Sequence, residues 1–568
     1  MTNSAPSCQN CKQTFRIEPE DFAFYEKIRV PAPTWCPGCR FQRRLTFYNL
    51  LSLHKRKCDL CGKDSISLFH PDAPYTVYCP TCWWSDNWDP LSYGQDYDFS
   101  RPFFEQINEL WHSVPLLGLS IDPPTLATSP YCNDAGNLRN SYLIFHGNDD
   151  QDCAYGFYAG FSQSLLDCSS IIYSESCYDS MHCYKVNRCI GARHQLAESL
   201  ECIFCRDCIN CQNCFGSANL RNKKYHFFNK PCTKEEYLKK VKSYNLGSYT
   251  TYQKVQQMAE EHWKTLPGKS EYNEFVENCS GPNVFFSKNC KESMEVQRAE
   301  DSKWLFLMWG EPTKDCYDIS SWGYNLSESY EGCVVGENAS RVRFSQEAGL
   351  TLFDAEYSKL SVNASYHFGC VSIRKKDYCI LNKQYSKESF KELRVRILKH
   401  MNDVPHRDAK GRIYRYGEFF PPEMSPFAYN ETLAHNFFPL TKERCEAEGY
   451  RWKELETSKH RITKKTSELP DDIKDVSDDI LQETVGCGRC GRGFTLIPME
   501  LQLLRRWNLP LPRKCPFCRI TEKLNLWVKN ITQHGRVCTR CGTPLRSKYT
   551  KEEAPAVFCK ACYAASIE

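Results

Sequence analysis

The sequence predicts a mixed, β-rich fold: a duplicated parallel β-solenoid-like middle with helical inserts, flanked by two small modules that each contain eight paired cysteines. Three observations carry this. Sixteen of the 35 cysteines form four C-x2-C…C-x2-C sets at the chain ends, with matched gaps. A 23-residue stretch, Phe215 to Tyr237, recurs without gaps as Phe368 to Phe390 at an offset of 153. Upstream of each copy, short apolar bursts alternate with Asn, Asp, Ser and Cys, as short strands with polar corners do when successive turns stack.

The end modules are the most specific signal. Cys8/Cys11 and Cys36/Cys39 are separated by 24 residues, as are Cys487/Cys490 and Cys515/Cys518. Cys58/Cys61 and Cys79/Cys82 leave 17 residues between pairs, as do Cys538/Cys541 and Cys559/Cys562. Two intervening residues let a tight turn aim both thiolates at one ion, so two pairs complete a tetrahedral, all-sulfur site. Four thiols leave no open position, which favours structural zinc over catalytic zinc, with four ions per chain. The second pair of a set is expected at a helix start, as in zinc-ribbon or treble-clef folds. Glycine after Cys61 and Cys541 suits a knuckle that needs positive φ.

Between the modules the chain divides in order. Residues 1–90 form the first double-zinc module, and 91–125 a Trp-rich connector and helix. There Ser100 opens a helix whose apolar face is Phe103, Phe104, Ile107, Leu110 and Trp111. Residues 126–230 and 271–385 are the two β-rich solenoid-like repeats, separated by a helical segment at 231–270. Thr233 with Glu236 makes a capping box, and Ser386 caps the matching helix after the second repeat. Met294, Asp318, Val342 and Ser365 recur at spacings of 23 to 24, suggesting a coil length in the low twenties. A β-sandwich is the alternative. Residues 386–463 hold a helix and an aromatic, proline-rich segment, 464–483 an acidic linker, and 484–568 the second double-zinc module.

No apolar run approaches a membrane span, and the N-terminus lacks the pattern of a secretory leader. Paired C-x2-C cysteines then read as metal ligands before disulfides in a reducing, cytoplasmic setting. Residues 484–568 carry 15 Lys/Arg against 5 Asp/Glu, and residues 1–90 carry 11 against 9. Two zinc-tetrathiolate sites subtract roughly four charges from each module, so only the C-terminal one stays clearly basic, at about +6. Arg505, Arg506, Arg513, Lys514 and Arg519, near Trp507 and Trp527, are therefore candidate nucleic-acid contacts.

Cys202, Cys205, Cys208, Cys211 and Cys214 fall every third residue. Packing as small hydrophobes in tight bends is the preferred reading. An extra zinc or an iron–sulfur cluster, whose ferredoxin-type motif starts in the same way, is the alternative. Asp149, Asp150 and Asp152 with His146 could bind a cation or act as acid and base, although a loop acidic cluster is more often only solvated. No phosphate-binding loop, dinucleotide fingerprint or H-E-x-x-H is present, and no nucleophile is paired with a base.

The strings CQNCKQTFRIEPEDFAFYEKIRVPAPTWCPGCRFQRRL and KRKCDLCGKDSISLFHPDAPYTVYCPTCWWSDNWDP resemble a zinc-ribbon domain family at the N-terminus of large uncharacterised bacterial proteins, mainly from uncultivated lineages. LRNKKY and FGCVSIRKKDYC look like the recurring middle motif of those proteins. The resemblance implies zinc binding and no assigned reaction. It departs from strict repetition where Cys370 faces Ser217, against any metal site that needs both. The expected protein is a non-catalytic scaffold whose partner is another protein. A nucleic-acid binder acting through the C-terminal module, or a solenoid enzyme, is the alternative.

Overall fold

A computed structural model describes residues 6–454 and 461–567. Residues 1–5 of the first module, 455–460 of the aromatic segment, and 568 lie outside the described residues. Contacts divide the chain into two compact units, each discontinuous in sequence. The first joins Met1–Leu119 to Asn273–Glu454, and the second joins Ser120–Tyr272 to Leu455–Glu568. The N-terminal cysteine module thus shares a unit with the second solenoid, and the C-terminal module with the first.

Both middle repeats are parallel β-solenoids, not sandwiches. In the first, Tyr142 pairs with Ala154 and Cys202 with Cys214, twelve residues on. In the second, Val284 pairs with Val296 at twelve, Tyr317 with Tyr330 at thirteen, and Phe306 with Ser320 at fourteen. One turn is therefore 12 to 14 residues, and the spacing of 23 to 24 seen in the sequence spans about two turns rather than one.

The turn is short because nearly every third residue is left-handed. Asp134, Asn137, Asn140, Leu143 and His146 have φ between 48° and 53°, and the pattern continues along both solenoids. A twelve-residue turn is thus four three-residue sides with a corner at each end. Non-glycine residues in this region cost roughly 1–2 kcal/mol each, and hydrogen bonds between turns hold them there. Gln151 N–H donates to Ser162 O at 2.9 Å, and Asp152 N–H to Arg139 O at 3.0 Å. Asn and Asp corners also bond along the stack, as Asn140 does to Asp152 at 2.6 Å.

One side chain per three residues points inward, and the narrow interior takes Cys, Ser, Ala, Val, Leu and Ile. Interior serines bond the next turn: the Ser174 hydroxyl accepts from Val186 N–H at 3.2 Å and donates to Ile172 O at 3.0 Å.

The repeated 23-residue motif is the end of each solenoid. The last strand, Lys224–Phe227 or Asp377–Ile380, turns back into a short antiparallel strand and then a helix, Lys234–Lys242 or Lys387–Asp403. Thr233 and Glu236 form the expected reciprocal cap, and Ser386 accepts from Ser389 N–H. Asn229 and Asn382 supply the hydrogen bonds a further turn would have made. Their amides bond both the N–H and the C=O of Ala218 and of Val371, at 2.7–2.9 Å. An otherwise open edge is closed in this way.

The connector helix runs Phe103–Ser113. It opens at Pro102 rather than at Ser100, whose N–H and hydroxyl bond Asp98 in the preceding turn. Phe103, Phe104, Ile107, Leu110 and Trp111 are all buried, with Phe103 against Tyr357 and Phe368 of the second solenoid. The second unit has a matching helix, Tyr249–Lys264, and Trp263 stands where Trp111 does. The acidic stretch 464–483 is ordered in its unit. Asp471 accepts from Thr250 N–H at 3.0 Å at the start of that helix, and Ile473, Val476 and Ile480 are buried.

Candidate metal centres

Each of the four cysteine sets brings its sulfurs together within 4.8 Å of one another. A tetrahedron with zinc–sulfur bonds of ~2.3 Å has sulfurs about 3.8 Å apart. Cys11 and Cys36, Cys487 and Cys518, Cys490 and Cys515, and Cys541 and Cys559 all stand at 3.8 Å. The chain could hold four metal ions in closed, all-thiol sites.

The four sites share one local design. The first pair sits on a knuckle whose left-handed residue is Lys12, Gly62, Gly491 or Gly542. The N–H of that residue returns to the carbonyl of Cys8, Cys58, Cys487 or Cys538, at 2.9–3.0 Å. Glycine thus occurs at three of these positions, and lysine tolerates the fourth. In the second pair the leading cysteine precedes a helix: Pro37–Leu45, Pro80–Trp84, Pro516–Ile531 or Lys560–Ile567. Proline in the first turn suits three of them. Cys36, Cys79, Cys515 and Cys559 each donate a backbone N–H to the buried sulfur of Cys8, Cys58, Cys487 or Cys538, at 3.2–3.3 Å. Such bonds and the helix N-terminus both favour thiolate.

The helix leaving the first site of each module is anchored to its unit's solenoid by buried charge. Arg40 bonds Asp318 at 2.7 and 3.0 Å. Arg43 bonds Glu331 and Glu418 at 2.9–3.0 Å, and Arg44 bonds Asp318 at 2.9 Å. Every member is almost fully buried, and three cations meet three carboxylates. Burial pushes the Glu331 carboxyl up, against the pull of Arg43.

In the second unit Arg519, at the position of Arg40, bonds Asp167 at 2.5 Å and Glu500 at 2.9 Å and lies over the Tyr155 ring. Lys523, in place of Arg44, pairs with Asp179, and burial pulls its ammonium down to about 8. The sequence reading missed the carboxylate partners. The available signal was the basic pair four residues apart after the C-P-x-C of the first set in each module, Arg40/Arg44 and Arg519/Lys523.

The candidate nucleic-acid contacts are accordingly dispersed. Arg519 is buried in its clamp. Arg513 bonds the Leu469 and Pro470 carbonyls and lies over Tyr249. Lys514 pairs with Glu522, and Arg505 with Asp478. Arg506 is exposed.

Cys202, Cys205, Cys208, Cys211 and Cys214 are successive inward positions of the first solenoid, all buried. Their thiols point at carbonyls two residues back and nine ahead; Cys205, for example, meets Ile203 O at 3.6 Å and Cys214 O at 3.4 Å. Three-residue steps in the sequence are therefore the sides of the coil. Among the described residues, the ladder is absent from the groups that bring three or more ligand atoms together.

The Asp149–Asp152 cluster does not converge. Asp150 points inward, accepts from Ser162 N–H at 3.0 Å, and is pushed up to about 8 by burial. Asp149 and Asp152 are left-handed corners, and His146 bonds Asp134 at 2.6 Å.

No family model and no curated protein matches the chain. Among solved structures, that of a proposed acetyltransferase from Desulfovibrio desulfuricans G20 is 8% identical, covering 51% of this chain and 85% of its own. Its TM-score is 0.10, too low to carry an argument about fold or activity.

Proposed function

We propose that this chain is a zinc-stabilised, non-catalytic scaffold that binds protein partners on its solenoid units. The observation that carries the reading is the pairing of closed all-thiol sites with buried clamps. Each first-site helix begins after a candidate ligand cysteine and carries ion pairs to the solenoid, so a metal there would fix a surface instead of presenting a reactive position. Zinc is the metal best suited to four thiolates in a cytoplasmic protein.

The nucleic-acid reading has weaker support, because four of its five candidate cations already have partners within their own unit. The test is purification of the full chain with and without nuclease, followed by size-exclusion chromatography. Co-elution with a protein at fixed stoichiometry, unchanged by nuclease, is expected. Nuclease-sensitive co-elution with RNA or DNA would replace this reading with the alternative.

A further inference from the structure

The two units end their solenoids alike but cover those ends differently. In the first unit the chain's own residues 90–101 run across the last turn of the second solenoid. Gln95 N–H donates to Leu381 O at 2.9 Å, and Asn382 donates to Pro90 O at 3.1 Å. Lys383 pairs with Asp96 at 2.6 Å. Gln106 of the connector helix bonds both the N–H and the C=O of Asp98 at 2.9 Å. The approach is close: a Cβ on Gly94 would stand 2.7 Å from Asn382 O. Tyr97 and Phe99 complete the cover, with Tyr97 bonded to His400 at 2.8 Å and Arg396 over the Phe99 ring.

In the second unit the equivalent residues are Phe228, Asn229 and Lys230, by the offset of 153, and Met258 takes the place of Gln106 by the match of Trp263 to Trp111. Only residues 243–248 separate the two helices there, and among the described residues no counterpart of 90–101 crosses the end. A cleft of about 580 Å³ lies in that place, lined by Phe227, Phe228, Tyr244, Lys254, Met258 and Glu261. Lys230, two residues beyond Phe228, is exposed, and Lys240 lies over the Phe227 ring.

We propose that this cleft binds an extended peptide of a partner protein, one carrying an aromatic side chain flanked by carboxylates. The first unit shows what such an end accepts: a main chain bonded to the last turn, aromatic anchors, and an aspartate on the lysine of the turn. The second unit has an aromatic floor, Phe227 and Phe228, where the first has Ile380 and Leu381. It keeps the lysine as Lys230, and adds Lys240 and Lys254 to favour an acidic segment. This inference rests on the scaffold reading and names the partner's chemistry.

The test uses the full chain and a fluorescent peptide with the sequence of residues 90–101, PLSYGQDYDFSR, followed by anisotropy. Saturable, micromolar binding is expected. Met258→Glu should weaken it about tenfold, and Lys230→Glu about threefold, as for an exposed ion pair. A peptide carrying Asp96→Lys should recover affinity for the Lys230→Glu chain. These variants lie outside the first unit, so they separate cleft binding from displacement of the resident segment. Absence of saturable binding, or binding indifferent to both variants, would overturn the inference. Protein co-elution in the purification above would then still leave the scaffold reading standing.

Discussion

The two units use one plan with different charges. In the first, Arg40, Arg43 and Arg44 face Asp318, Glu331 and Glu418 in a closed network. In the second, the place of Arg43 is taken by Glu522, which turns outward to Arg489 and Lys514, while Arg44 becomes Lys523. The parts that stay constant are geometric: the cysteine knuckle, the helix that starts at the second pair, and the asparagine that closes the last turn. Duplication kept what the backbone requires and let the side-chain electrostatics drift.

The largest expected effect strikes both units alike. Structural zinc in peptides contributes roughly 10–16 kcal/mol at neutral pH, so a strong chelator should abolish amide protection in both cysteine modules. Amides between solenoid turns, such as Gln151 and Gln346, should keep theirs, since no metal holds them. Hydrogen exchange with mass spectrometry reads both regions at once.

The clamps should differ. Arg40→Met leaves Asp318 with Arg44 alone, and one carboxylate charge uncompensated in a fully buried network, and should cost about 3–5 kcal/mol in denaturant unfolding. Lys523→Met should cost only about 1 kcal/mol, because Asp179 retains Arg193 at 3.0 Å and Tyr252 at 3.2 Å. Equal costs would show that the two clamps are equivalent after all.

A smaller effect separates the solenoid interiors. Asp150 is raised to about 8 in the fold, from an ordinary 3.8. The folded chain therefore holds a proton that the unfolded chain has lost. The stability from this group is complete below about pH 4 and falls as pH rises toward 8. Between pH 6 and 8 the loss should be about 2 kcal/mol. Asp150→Asn should remove that slope in the second unit and leave the first unchanged.

The end caps give the smallest contrast. Asn229→Ala and Asn382→Ala each strand backbone groups of the preceding turn, at about 1–2 kcal/mol. Each makes one further bond, Asn382 to Pro90 O and Asn229 to His262 Nε2, both at 3.1 Å, so the two costs should be close.

The four cysteine clusters that could hold metal were legible in the sequence, because a C-x2-C knuckle is local: Cys58 to Gly62 contains everything its turn needs. The solenoid was legible as a class, but its turn length was not. Spacings of 23 to 24 between Met294, Asp318, Val342 and Ser365 cover two turns, and nothing local marks a corner filled by Leu143 or Tyr155 as left-handed. The carboxylates Asp318 and Asp167 were illegible as partners of Arg40 and Arg519. They lie hundreds of residues away, and only the fold joins them. For the same reason, basic residues that look like a phosphate-binding surface turn out to include a buried clamp.

The central claim is that the paired cysteines form four closed thiolate sites. It is tested most directly by metal quantitation and zinc-edge X-ray absorption on one gently purified sample. The account predicts four zinc ions per chain in an all-sulfur shell at about 2.3 Å. Fewer than about three ions, or nitrogen or oxygen in the shell, would contradict it.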